Sequence, residues 1–340
     1  MLFSFRVLAT TAAMMPGIFA SSCIPSSNSS VPANYTDTVV QAWGNSMVRF
    51  QREMAQYSPA TYKNTAMDQI MDALGMLSTI NVCVRWGSNK TLTETTRKQI
   101  ASQHTKLYNY WFQWLSGHDN FPFEDVKINY VGWAVRNRVQ LQGSLDGLDV
   151  YTGYTDERGD LDCNPACSVE KHLDGDFSDC PGGRDHRYHQ FLFLNPAWGE
   201  FNMGAAMGYG IDVSFHGWET VGSKMGDWPL LLHEMGHTLG FLDYLDLEGN
   251  AVPEGNDPED VCDVLFLPPN HPESFVMKPG NGGLLTPPRV TEMEGWMLRH
   301  WWSRVSRLRG WQSDNKTFPA LPNCPSEDLG KRSSFHTCSF

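Results

Sequence analysis

Residues 231–246 read LLHEMGHTLGFLDYLD. His233 and His237 stand four apart, so on a helix they share one face and can turn two imidazole nitrogens toward one ion at about 2.0–2.1 Å. Glu234 is rotated by about 100° from His233, which sets it beside such an ion and within reach of a water held there. The apolar run WPLLL just ahead would bury the helix, as a rigid ligand platform requires. Gly240 can adopt the left-handed conformation that ends a helix and turns the chain, bringing Asp243 back as a third ligand. Asp246 would serve if the turn were wider, and Glu292 or Glu294 if the helix ran on past Gly240. The competing account is a core helix with hydrogen-bonded histidines. Two histidines and a glutamate on an otherwise apolar helix are, however, costly to bury without partners. The expected chemistry is hydrolysis by a water that Zn(2+) activates. Glu234 would be the general base, taking the water's proton and returning it to the leaving amine.

The elements that must position these residues are legible around them. INVCVRW (80–86) is β-branched and alternating, hence a strand. A long helix follows, with Thr91 or Thr93 as its N-cap, apolar positions at Ile100, Leu107, Trp111 and Trp114, and Gly117 as its stop. Residues 126–137, 148–155 and 189–195 read as three more strands. The last of them, HQFLFLN, is either an edge strand lining a cleft or an interior one. Strands and a helix ahead of HEMGH indicate an α+β fold, a mixed sheet with helices on one side. Residues 290–308 form an amphipathic helix whose Trp296, Trp301 and Trp302 belong in the core rather than on a sugar platform. Helical spacing also predicts helices over 36–57 and 65–76. Between Asp156 and Gly183 lies an acidic, glycine-rich insertion carrying Cys163, Cys167 and Cys180. A disulfide-tied loop is expected there; Ca(2+) held by its carboxylates and zinc held by its cysteines are the alternatives.

Composition bounds the setting. The chain has 340 residues and a formal net charge of −12, which argues against nucleic acid as a partner. Residues 1–20 carry one early Arg6, an apolar middle and a small residue, Ala20, the pattern of a secretory signal peptide. Asn28, Asn34, Asn89 and Asn315 stand in Asn-x-Ser/Thr acceptors for N-glycosylation. The eight cysteines all lie beyond residue 20, an even count that suits disulfides in an exported protein. No segment is apolar for long enough to anchor the chain in a membrane. The division expected is a signal peptide at 1–20, a leader and helical segment at 21–77, a catalytic domain at 78–310 and a cysteine-bearing tail at 311–340. Nothing fixes the oligomeric state, and a monomer is the expectation.

HEMGHTLGFLD (233–243) resembles the H-E-x-x-H-x-x-G-x-x-[H/D] signature of the metzincin clan of zinc peptidases. The aspartate in third place is similar to snapalysin-type secreted proteases, and the whole chain resembles fungal secreted proteins with this motif. ESFVMKPG (273–280) resembles the clan's Met-turn, which implies that Met277 forms an apolar floor beneath the metal. The resemblance covers residues 78–308, with 233–243 its sharp part. It implies a zincin-like twisted mixed sheet with an active-site helix, and a protein or peptide substrate. Where some members place a tyrosine two residues after the methionine, this chain has Pro279, leaving Tyr244 and His271 as candidate oxyanion donors. The function expected is a secreted zinc endopeptidase. Its competitors are a catalytically silent secreted binding or effector protein of the same fold, and a hydrolase acting on cell-wall glycoprotein or carbohydrate. An intact Glu234 argues against the first, and the lack of a paired-carboxylate signature against the second.

Overall fold

The computed structural model describes residues 31–36, 39, 79–172, 174–207, 209–246, 264–267, 275–279 and 290–308. The signal peptide, the bulk of both N-terminal helices, the C-terminal tail, Asn28, Asn315 and His271 lie outside the described residues. Within them, a six-stranded sheet runs in the order β3-β2-β1-β4-β6-β5. Its strands are β1 (Thr79–Trp86), β2 (Lys127–Val135), β3 (Asp149–Tyr151), β4 (Gln190–Asn195), β5 (Gly204–Met207) and β6 (Gly210–Ser214). All pairings are parallel except that of β5 with β6. The mixed sheet agrees with the sequence. The segment HQFLFLN proves interior, because β4 is flanked by β1 and β6, and the edge falls instead to β5.

Helix α1 (Glu94–Phe112) connects β1 to β2. It starts where Thr93 accepts the Thr96 N–H at 3.1 Å, satisfying one of the donors that a first helical turn leaves unpaired. Helix α2 (Pro229–Thr238) carries the HEMGH segment, and α3 (Glu292–Leu308) ends the described chain. These helices share one core with the residues of one sheet face: Ile80, Val82, Val84 and Trp86 of β1, Trp133 and Val135 of β2, Leu192 and Leu194 of β4, and Ile211 and Val213 of β6. The period-two alternation of a strand turns the intervening residues the other way. There Cys83 and Ala134, with Val131 turned to the same side by the β1–β2 register shift, meet a second, separate core formed with Tyr151, Leu161, Cys163, Cys167, Val169, Phe177, Cys180 and Tyr188. A central parallel strand covered on both faces is therefore apolar almost throughout, which is why INVCVRW reads so clearly.

The covering of the second face is the acidic insertion. Cys163 bonds to Cys83 in the middle of β1, and Cys167 bonds to Cys180. The disulfide-tied loop is thus observed, and the alternative of a cysteine zinc site is excluded for these residues because their sulfurs are consumed. Cys83–Cys163 spans 80 residues, long enough to lower the unfolded chain's entropy by the equivalent of about 4 kcal/mol. Trp296, Trp301 and Trp302 are buried in the helix-side core, as expected.

Candidate metal centre

Helix α2 opens with Pro229 in its first turn, where a missing N–H costs nothing. Leu231, Leu232 and Met235 fix it in the core, and the Trp111 indole N–H donates to the Leu232 carbonyl at 3.1 Å. Its end is built by Gly240, at φ 93°. Gly240 N–H bonds to the His237 carbonyl at 3.0 Å and Phe241 N–H to the Gly236 carbonyl at 3.1 Å, the paired bonds of a Schellman turn. A side chain at Gly240 would be strained in φ and would meet Trp301 at 2.6 Å. The chain then reverses into β7 (Asp243–Asp246), which pairs with β8 (Val264–Leu267).

That reversal brings three acceptor atoms together. His233 Nε2 and His237 Nε2 are 3.2 Å apart. Asp243 Oδ1 lies 3.2 Å from the first and 3.5 Å from the second. Four-coordinate zinc with ligands at about 2.0–2.1 Å requires neighbouring ligand atoms about 3.3 Å apart, so the triangle already has the size of one face of such a shell.

The protons make the case stronger. His233 Nδ1 faces the Val276 carbonyl at 2.7 Å, and His237 Nδ1 faces the Phe241 carbonyl at 2.9 Å. A carbonyl only accepts, so both Nδ1 atoms carry the proton and both Nε2 atoms of the neutral rings present lone pairs. Asp243 Oδ1, buried at the same point, has no hydrogen-bond donor among the described residues. Three lone pairs converge there, an arrangement that a cation would resolve. Burial would raise the Asp243 carboxyl; in the metal-free protein a proton on the imidazoles, standing where a cation would, holds it far below the usual carboxylate range. Burial would lower His233, yet Asp243, Glu234 and the Val276 carbonyl raise it.

Glu234 sits beside this triangle. His233, Glu234 and His237 each offer a ligand-type atom within 4.8 Å of the others, so the group could hold a metal ion. The Glu234 side chain is buried, and its Oε2 has no hydrogen-bond partner among the described residues. Burial pushes its carboxyl upward against the pull of His237 and His233. It lies against the edge strand: a Cβ added at Gly204 of β5 would come within 2.7 Å of Glu234 Oε1.

Met277 is wholly buried under α2, so close that a Cβ at Gly236 would meet its sulfur at 2.2 Å. Only glycine fits between the two histidine turns at that approach. The rival ligands are accounted for elsewhere. Glu292 accepts from the Trp296 indole at 3.4 Å, and Glu294 accepts the Met277 N–H at 2.9 Å. Asp246 closes β7 about 10 Å farther along the strand. Tyr244 is not placed as an oxyanion donor: it is fully buried and its hydroxyl meets Met297 Sδ at 3.1 Å. Asn34 and Asn89 are exposed in turns or bends, as glycosylation would need. Sequence reasoning missed β5 and the role of Glu294. GAAM is too short and too small-sided to signal a strand, but T-E-M-E at 291–294 is a capping-box pattern that could have been read.

Comparison with models of protein families, with curated proteins and with solved structures gives no match.

Proposed function

We propose that this chain is a secreted zinc-dependent endopeptidase. The observation that carries the reading is the convergence of His233 Nε2, His237 Nε2 and Asp243 Oδ1 at 3.2–3.5 Å, beside the buried Glu234, whose Oε2 has no hydrogen-bond partner among the described residues. Two imidazoles and one carboxylate are a donor set suited to zinc, and three protein ligands are the number found in catalytic rather than structural sites. When bound, the ion would supply Lewis acidity and make a water it holds acidic near neutral pH.

The chain's own residues do the rest. The Val276 and Phe241 carbonyls fix both imidazole tautomers, so the metal-facing nitrogens need no rearrangement. Glu234 accepts the attacking water's proton and delivers it to the departing amine nitrogen. One carboxyl group serves first as base and then as acid, because the proton it returns is the one it took. The side of β5 turned away from β6, unpaired among the described strands and running past Glu234, offers backbone groups to an extended peptide. Two disulfides, and exposed acceptors at Asn34 and Asn89, support an oxidising, exported setting. No helix among the described residues is long and apolar enough to cross a membrane.

The test is metal analysis of the purified protein with cleavage of a mixed peptide library before and after chelation. One zinc per chain, with cleavage lost on chelation and restored by zinc, is expected. A protein that binds zinc but cleaves nothing would select the silent binding reading; release of sugars without peptide cleavage would select the glycan hydrolase.

A further inference from the structure

The peptide group joining Val276 to Met277 is engaged at both ends. Its carbonyl oxygen accepts the Nδ1 proton of His233 at 2.7 Å, and its N–H donates to Glu294 Oε1 at 2.9 Å. Glu294 is fully buried. Its second oxygen, Oε2, accepts from Thr291 N at 2.9 Å and from Thr291 Oγ1 at 2.8 Å, while Thr291 Oγ1 receives Glu294 N–H at 3.3 Å. That reciprocal pair is a capping box, closing the first turn of α3.

The cap uses only Oε2. Glutamine fills the same position in capping boxes, so the cap does not explain why an acid is buried here, nor why Oε1 points away from α3. Oε1 points to the one peptide group whose other end holds His233. Hydrogen bonds in series polarise one another, more so in a dry interior. A carboxylate on the N–H makes the carbonyl a better acceptor, and a better acceptor on Nδ1 makes Nε2 a better donor to a metal. The same turn is tied to the other ligand strand, since the Met277 carbonyl accepts Tyr244 N–H at 2.8 Å, next to Asp243.

We infer that Glu294 is a positioning residue of the metal centre, acting through the Val276–Met277 peptide to fix the tautomer and orientation of His233 and to strengthen its hold on a divalent cation. This rests on the metal reading above and assigns the carboxylate beyond the three ligands that the ion's affinity depends on.

The test is zinc affinity, measured by competition with a fluorescent chelator at constant pH, alongside thermal unfolding. Glu294→Gln is expected to weaken zinc binding about tenfold, the lower end of the effect of removing an outer partner of a metal-bound histidine. Thr291→Val breaks the cap but leaves Oε1 on Met277; it should lower the unfolding temperature while keeping zinc affinity within about twofold. If Glu294→Gln does not fold, Glu294→Asp takes its place: the shorter side chain can still cap α3 but withdraws from Met277, and the same tenfold loss is expected. Wild-type affinity in the Glu294 variant, or an equal loss in Thr291→Val, overturns the inference while the metal reading stands. A wild-type protein that binds no zinc overturns the metal reading itself.

Discussion

The two faces of the sheet bury charge in opposite ways. Behind it, Arg85 is almost fully buried, yet its guanidinium is answered on several sides. It pairs with Asp156 at 2.8 Å, donates to the Leu161 carbonyl and lies 4.2 Å over the Phe193 ring. Asp212 on the same side accepts from Asn195 at 2.9 Å and from the Trp198 indole at 2.8 Å. On the helix side, Glu234 Oε2 and Asp243 Oδ1 are buried without a donor among the described residues, and two imidazole lone pairs converge on the same point. A cluster whose donors and acceptors match holds the fold together, whereas a convergence of acceptors without a donor among the described residues could hold a cation. Burial alone distinguishes neither; the count of donors against acceptors does.

The sharpest way to break this contrast is to alter one charged group on each side. Glu234→Gln should cut peptide turnover by about 10²–10⁴-fold, the usual worth of a general base, with zinc content and unfolding temperature near wild type. Undiminished turnover would remove Glu234 from the chemistry. Arg85→Ala should do the reverse. Removing the buried cation strands the half-buried carboxylates of Asp156 and Asp162 and leaves a hole beside the Phe191 and Phe193 rings, so a loss of about 3 kcal/mol is expected in denaturant unfolding, with turnover per folded molecule retained. A mild Arg85 variant would mean that the back-face network is solvated and that the contrast between the faces is weaker than the distances suggest.

How much of this was legible beforehand follows from the range of each interaction. The HEMGH helix and its glycine stop were readable because i, i+4 geometry and a left-handed glycine are local. So was β1, whose burial on both faces writes a continuous apolar run. The edge strand was not, because a four-residue GAAM segment gains its strand state from pairing with β6, not from its own side chains. Nor could the sequence decide that HQFLFLN is interior, since strand order is a long-range property. Cys83 with Cys163 and Glu294 with Met277 are likewise contacts between segments far apart in the chain. Tyr244 was misjudged for a related reason: adjacency to Asp243 in β7 says nothing about which face of the strand its ring takes.

Metal removal probes the helix side alone. Because the ion would bind the folded arrangement and not the unfolded chain, zinc at a hundredfold above its dissociation constant should add about 2.7 kcal/mol to stability. Stripping it should lower the unfolding temperature, and zinc should restore it. Asp243→Asn should forfeit most of that difference, while Arg85→Ala, although less stable overall, should keep the full zinc-dependent increment. Equal increments in wild type and Asp243→Asn would remove Asp243 from the ligand set.

The finest test uses pH on metal-stripped protein. Burial raises the Glu294 carboxyl to about 7 from an ordinary 4.5, despite the opposing bonds from Thr291 and Met277. The folded state therefore holds a proton that the unfolded chain releases. The stabilising contribution is full below about 4.5 and is lost as pH rises through about 7. Its slope cannot exceed about 1.4 kcal/mol per pH unit. His104 and His189, both pushed down to about 3 by burial, work in the opposite sense: they stay neutral inside the fold and cost stability as the solution grows acidic. The total curve therefore mixes both signs, and the difference between wild type and Glu294→Gln isolates the carboxyl. That difference should change steadily between about pH 4.5 and 7 and be flat outside that window. A flat difference across the whole range would mean that the buried carboxyl keeps an ordinary pKa, with Met277 N–H and Thr291 compensating its burial in full.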